Sequence, residues 1–153
     1  MALSSWELIA TFATALLLGT TFAHVLEMPA KLRVGPDLWL TFQHTLYGRF
    51  ASVGGALEVS SIVSAAVLVY LERRDPVSFT LAALAAGLVV VAFGAIWLGL
   101  TSPVNARTAA WTPSTMPPDW WHWRNLWEYS HAVRFVLHLL AFAALLMLLM
   151  RHN

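Results

Sequence analysis

Trp120-Trp121-His122-Trp123-Arg124-Asn125-Leu126-Trp127-Glu128-Tyr129-Ser130-His131-Ala132-Val133-Arg134-Phe135-Val136-Leu137-His138 runs without a break into the apolar segment that ends at Met150. The stretch holds four Trp, three His, two Arg and one Glu. Read as a helix from about Arg124, it places Arg124, Glu128, His131, Arg134 and His138 within about a third of the circumference. Taken singly, these residues have ordinary explanations, because Trp and Tyr anchor helices at membrane interfaces and Arg near a helix end snorkels. One Glu, two His and an Arg on one face of a membrane-length segment are different. Ionisable groups at that depth are costly and usually face a bundle interior or a cavity. The stripe therefore makes the other apolar runs its partners in a bundle.

Composition agrees. Of 153 residues, 59% are apolar and 11% charged, against about a quarter charged in soluble domains, and the mean hydropathy is +0.67. The chain reads as an integral, multi-pass membrane protein whose first partner is the lipid bilayer. A net charge of +1 with no Lys/Arg run gives no reason to expect nucleic acid. The absence of cysteine excludes disulfides, thiolate nucleophiles, iron–sulfur clusters and Cys-ligated zinc or haem. Met1–Trp6 lacks Lys and Arg and no A-x-A site follows the first apolar run, so that run reads as a span rather than a signal peptide.

Working outward, four runs reach the ~20 residues needed to cross a bilayer. The first, Leu8–Leu26, carries Thr20, His24 and Glu27 on one face and is expected to stop at Pro29 and Gly35-Pro36. The second opens on Asp37 as N-cap, passes an interfacial lead-in with Trp39, His44, Tyr47 and Arg49, and crosses with one charge, Glu58. Gly54, Ser61 and Ala65 share the Glu58 face, which suits close helix contact. Glu72-Arg73-Arg74-Asp75-Pro76 is a short turn that makes the second and third helices antiparallel neighbours. The third run, Val77–Thr101, has no charge and reads as a packing helix, broken by Thr101-Ser102-Pro103-Val104-Asn105.

The expected fold is an all-α, four-helix, up-down-up-down membrane bundle, a single domain over 1–153 with helices at about 6–27, 38–71, 77–101 and 124–150. The loop over 102–123, with Pro113, Pro117 and Pro118, is long enough to act as a lid. Both termini fall on one side. The positive-inside rule taken literally puts the His-rich end in the cytoplasm, but discounting Arg49, Arg124 and Arg134 balances the two sides. Ala82, Ala85, Ala86 and Gly94 give the third helix a small-residue side, from which a homo-oligomer or a larger membrane complex is expected.

The polar residues His24, Glu27, His44, Tyr47, Asn105, Arg124, Glu128 and His131 gather at the end away from the termini. Glu128-Tyr129-Ser130-His131 is a Glu-x-x-His pair, and His24-Val25-Leu26-Glu27 is the same spacing reversed, the pattern by which bundles ligate metals. Three options stay open. Non-haem iron or copper would use His24, His44, Glu128 and His131. Haem b would use one or two of His24, His44, His131 and His138, with Arg on its propionates. The third option is a metal-free site for a quinone-like or aromatic molecule. Glu58 lies about 21 Å along the helix from His44 and is expected to be separate from this site, held by a partner or neutral, with His138 at its level.

The first-helix ending with His24 and Pro29, the third-helix ending Pro103-Val104-Asn105, and Trp123-Arg124 followed by His131 and Arg134 resemble the anthrone-oxygenase-like family of small four-helix membrane proteins. The resemblance implies oxidation of polycyclic aromatics by dioxygen and points to Asn105, Arg124, His131 and Arg134 as catalytic residues. Glu128 and the dense Trp cluster lie outside that pattern. The leading expectation is an oxygenase-like membrane oxidoreductase acting on an apolar aromatic or quinone-type substrate. In it, His131 is base or ligand, His24 and His44 are co-ligands or proton relays, Glu128 orients His131, and Arg124 or Arg134 stabilises a phenolate or oxyanion. The competing expectation is a haem-b electron carrier or a non-catalytic accessory subunit.

Overall fold

The computed structural model describes residues 2–152; the side chains of residues 2–4 and of Arg49 lie outside the described set. The chain is an all-α bundle built from α1 (Ala2–Lys31), α2 (Pro36–Thr45), α3 (Tyr47–Leu71), α4 (Pro76–Val91), a π-helical segment (Ala92–Thr101), α5 (Ser102–Thr108) and α6 (Trp120–Arg151). Four stretches are long and apolar enough to cross a membrane: Ser5–Lys31, Phe50–Leu71, Pro76–Thr108 and Trp120–Arg151. Around the bundle, α1 packs against α3 and α6, and α4 also packs against both.

The interior is knit from small and branched side chains. Ala10, Leu17, Leu68, Ala82, Ala85, Val89, Ala141, Ala144, Leu145 and Leu148 form one buried cluster. Tyr47, Val104 and Trp127 form a second, nearer the polar end. Phe12, Leu16, Val59, Val63, Leu84, Val90, Val136 and Met147 are exposed around the outside, as suits helices whose backbone bonds are satisfied internally and whose outer faces meet lipid. The small faces that suggested an oligomer are partly used within the chain: Ala82, Ala85, Ser61 and Ala65 are buried, and Ser61 Oγ accepts a bond from Thr14 Oγ1 at 3.4 Å, whereas Ala86 and Gly54 are part-buried and Gly94 is exposed.

Several element ends differ from expectation. The first helix passes Pro29, because a proline in the last turn gives up only its own bond; the chain then closes with Leu32 N–H to Met28 O at 2.9 Å. The helix expected over 38–71 is two, α2 and α3, meeting at Leu46. The break expected at Thr101–Asn105 is instead a π-helical stretch continued by α5, with Ser102 N–H bonded back to Trp97 O. Widening the register eases the clash between the Pro103 ring and the preceding turn, so the third span reaches Thr108. The proposed lid loop shortens accordingly, and α6 begins at Trp120, just after Pro117 and Pro118. Asp75 caps α4, accepting from Val77 N–H at 3.3 Å.

Candidate functional site

One cavity of about 260 Å³, open to the outside, lies where α1, α3, the π-helical segment, α5 and α6 meet. His24 from α1 and His131 from α6 form one wall, their rings stacked at 4.0 Å between centroids and 27° apart. Both residues are buried, and neither Nδ1 has a hydrogen-bond partner among the described residues. Trp127 braces the pair edge-on, 4.3 Å from His131 and 5.0 Å from His24. It is fixed in turn by its Nε1–H, which donates to Asn105 Oδ1 at 2.7 Å. Phe50, Phe93 and Trp97 supply the aromatic lining. Phe93 and Trp97 stack on each other at 5.5 Å along the π-helical segment, a distortion common at functional sites.

Arg134 and Glu58 close the inner end of the cavity as a buried ion pair. The Glu58 carboxylate also meets His138 Nε2 at 3.3 Å, and His138 Nδ1 meets Thr21 Oγ1 at 3.4 Å. Glu58 was expected to stand apart from the His-rich level by its depth along the helix. That argument compared backbone heights only, and the long Arg134 side chain spans the difference. Arg134 Nε is buried and has no hydrogen-bond partner among the described residues.

The other expected site residues are placed differently. Glu128 does not orient His131. Its carboxylate takes Lys31 Nζ at 3.1 Å and Trp39 Nε1–H at 3.4 Å. His44 lines the cavity rim, but its Nε2 meets the Thr108 carbonyl at 3.0 Å, closing the end of α5. Arg124 lies outside the cavity; it donates to Asn125 Oδ1 at 3.1 and 3.2 Å and covers the Trp120 ring at 4.9 Å. Asn105 lines the cavity and accepts from Trp127.

The residue that sequence reasoning missed is Lys31. With Pro29 taken as a stop, it fell in a loop; in the structure it is 2% exposed, 3.3 Å from Glu27 and 3.1 Å from Glu128, beneath the rings of Tyr47 and Trp127. The i, i+4 spacing from Glu27 was the available signal. Tyr47 O–H donates to Glu27 Oε2 at 2.6 Å. Burial, then that carboxylate, push the Tyr47 phenol well above its ordinary range, so it holds its proton as a donor.

The donor set does not suit a haem held between His24 and His131 or a metal centre of His24, His44, Glu128 and His131. Two imidazoles on a haem take opposite faces of the ring, whereas His24 and His131 are in stacking contact and cannot both ligate one haem. Of the four residues expected around a metal, only His24 and His131 come together. Zinc-type sites use three or four protein ligands. The arrangement offers instead two imidazole nitrogens and a guanidinium N–H that are buried and without a partner among the described residues, on residues that line an aromatic-walled space. It can accept a proton and steady the resulting anion. Comparison with family models, with curated proteins and with solved structures finds no match to this chain.

Proposed function

We propose that the cavity takes a planar, apolar aromatic or quinone-type molecule from the bilayer, and that the protein is an oxygenase-like membrane oxidoreductase. The stacked, buried His24–His131 pair with free Nδ1 atoms beside Arg134 is the observation that carries this reading. In the reaction, an imidazole removes a proton from an activated ring CH₂ and Arg134 Nε–H stabilises the carbanion-enolate. Dioxygen is the oxidant: it adds at that carbon, and loss of water converts the hydroperoxide to a carbonyl. One oxygen atom enters the product and the other leaves as water. The resemblance noted in the sequence points the same way, with His131, Arg134 and His24 kept in the reaction and Asn105 positioning Trp127. Arg124 has no part in it.

The same proposal includes an up-down-up-down course with four spans and both termini on one side, which the contact of His152 with Glu7 and the 3.0 Å pair of Arg151 with Asp75 support. The cofactor question is tested by the visible spectrum of the purified protein with iron and copper analysis, followed by titration with a tricyclic anthrone and quenching of Trp fluorescence. No Soret band, no stoichiometric iron or copper and saturable quenching are expected. A Soret band would replace this reading with the electron carrier; absence of saturable quenching would remove the substrate assignment.

A further inference from the structure

The end of the bundle opposite the cavity carries a second constellation. Glu7 from the start of α1, Glu72 just after α3 and His152 just after α6 bring three ligand atoms within 4.8 Å of one another, the one such group among the described residues. Glu7 is 1% and Glu72 5% exposed, and Glu7 Oε2 and Glu72 Oε1 are buried without a hydrogen-bond partner. Both carboxylates thus leave water beside one imidazole: Glu7 meets it through Oε1 and keeps Oε2 unpaired, and the unpaired Glu72 Oε1 lies 3.8 Å from it. The nearby guanidinium of Arg151 is engaged by Asp75 at 3.0 Å.

The tautomer of His152 is set from outside the group. Ser78 Oγ–H donates to Asp75 Oδ2 at 2.7 Å, so its oxygen accepts from His152 Nε2–H at 3.1 Å. That leaves Nδ1 facing Glu7 Oε1 in direct contact, with Glu72 Oε1 at 3.8 Å. In a neutral ring, this lone pair would meet a carboxylate lone pair with nothing between them. A cation has to sit there, either a proton or a metal ion. An N–H partner that fixes the ring and leaves the other nitrogen free is the outer-shell arrangement of metal-bound histidine.

We propose that Glu7, Glu72 and His152 bind one divalent transition-metal ion, of which Zn²⁺ is the model. Two carboxylates and a neutral imidazole balance its charge. Tetrahedral bonds of about 2.0–2.1 Å put ligand atoms roughly 3.3–3.4 Å apart, so Glu72 must draw in from 3.8 Å while Glu7 and His152, now in direct contact, must part to admit the ion. Binding releases the proton between Glu7 and His152, and water takes the fourth position. The ion ties the start of α1 to the ends of α3 and α6, away from the cavity.

The test is calorimetric titration of ZnCl₂ into the tag-free, chelator-treated full chain in detergent micelles, with thermal unfolding in parallel. One Zn²⁺ per chain and a raised Tm are expected. His152→Ala, at a solvent-facing helix end where folding is not at stake, and Glu72→Gln should each weaken binding at least about tenfold, and Ser78→Ala about 10–100-fold. His131→Leu, at the opposite end, should bind Zn²⁺ as the wild type does. No binding at one equivalent, or equal binding by wild type and His152→Ala, would overturn the proposal and leave the group as a proton-bridged His–Glu pair.

Discussion

Replacing Glu58 by Gln removes the carboxylate that meets Arg134 and leaves a guanidinium whose side chain is 7% exposed without a counter-charge. His138 also loses its charged partner at 3.3 Å. Opposite charges in contact at about 3 Å attract by roughly 5–6 kcal/mol at an effective dielectric of about 20. Removing one member of a buried pair costs about 3–5 kcal/mol in measured cases, while replacing both members with uncharged groups is often close to neutral. Glu58→Gln and Arg134→Met are therefore each expected to lose about 3–5 kcal/mol of unfolding free energy, and the double variant far less than the sum. Equilibrium unfolding in mixed detergent micelles measures all four corners of the cycle. Single losses below about 1 kcal/mol that simply add in the double variant would refute the buried pair as a coupled unit.

Lys31→Met leaves Glu128, which is 1% exposed, with only Trp39 as partner, and should cost about 3–5 kcal/mol, much of it recovered by adding Glu128→Gln. The same unfolding assay reads both. At Asp75, the Ser78 hydroxyl, then Val77 N–H and Arg151, hold the carboxyl below its ordinary value of 3.8, with slight burial opposing. A depressed folded pKa gives stability that is present above 3.8 and lost as pH falls through the folded value. Wild type should therefore exceed Asp75→Ala in Tm near neutral pH, with the gap narrowing in acid. A gap independent of pH would show that the charge contributes nothing.

The apolar runs were legible because bilayer thickness fixes their length, and the α6 stripe was legible because a 3.6-residue period projects onto one face. Glu128, His131, Arg134 and His138 are all buried. What they touch was not legible. Spacing along one helix cannot say which neighbour arrives: Glu128 meets Lys31, 97 residues away, rather than His131 one turn on. The depth argument for Glu58 failed on side-chain reach. The Pro29 and Pro103 readings failed because a last turn and a π-widened turn absorb a proline that would break a regular interior. The Glu7, Glu72 and His152 group is built from three distant points of the chain, and no local motif marks it.

The central claim is that His24, His131 and Arg134 serve chemistry on a molecule held in the cavity. A Cβ at Gly54, on the cavity wall, meets nothing within 4 Å, so Gly54→Leu can fill the space while improving helix propensity by up to about 1 kcal/mol. The deciding measurement is dioxygen uptake by proteoliposomes supplied with a tricyclic anthrone, comparing wild type, Gly54→Leu and His131→Leu. One dioxygen consumed per carbonyl formed is predicted for wild type, with loss of at least about 100-fold in His131→Leu from removal of the base and loss of turnover in a fully folded Gly54→Leu. Uptake at the protein-free rate in wild type, or undiminished turnover in both variants, would contradict it.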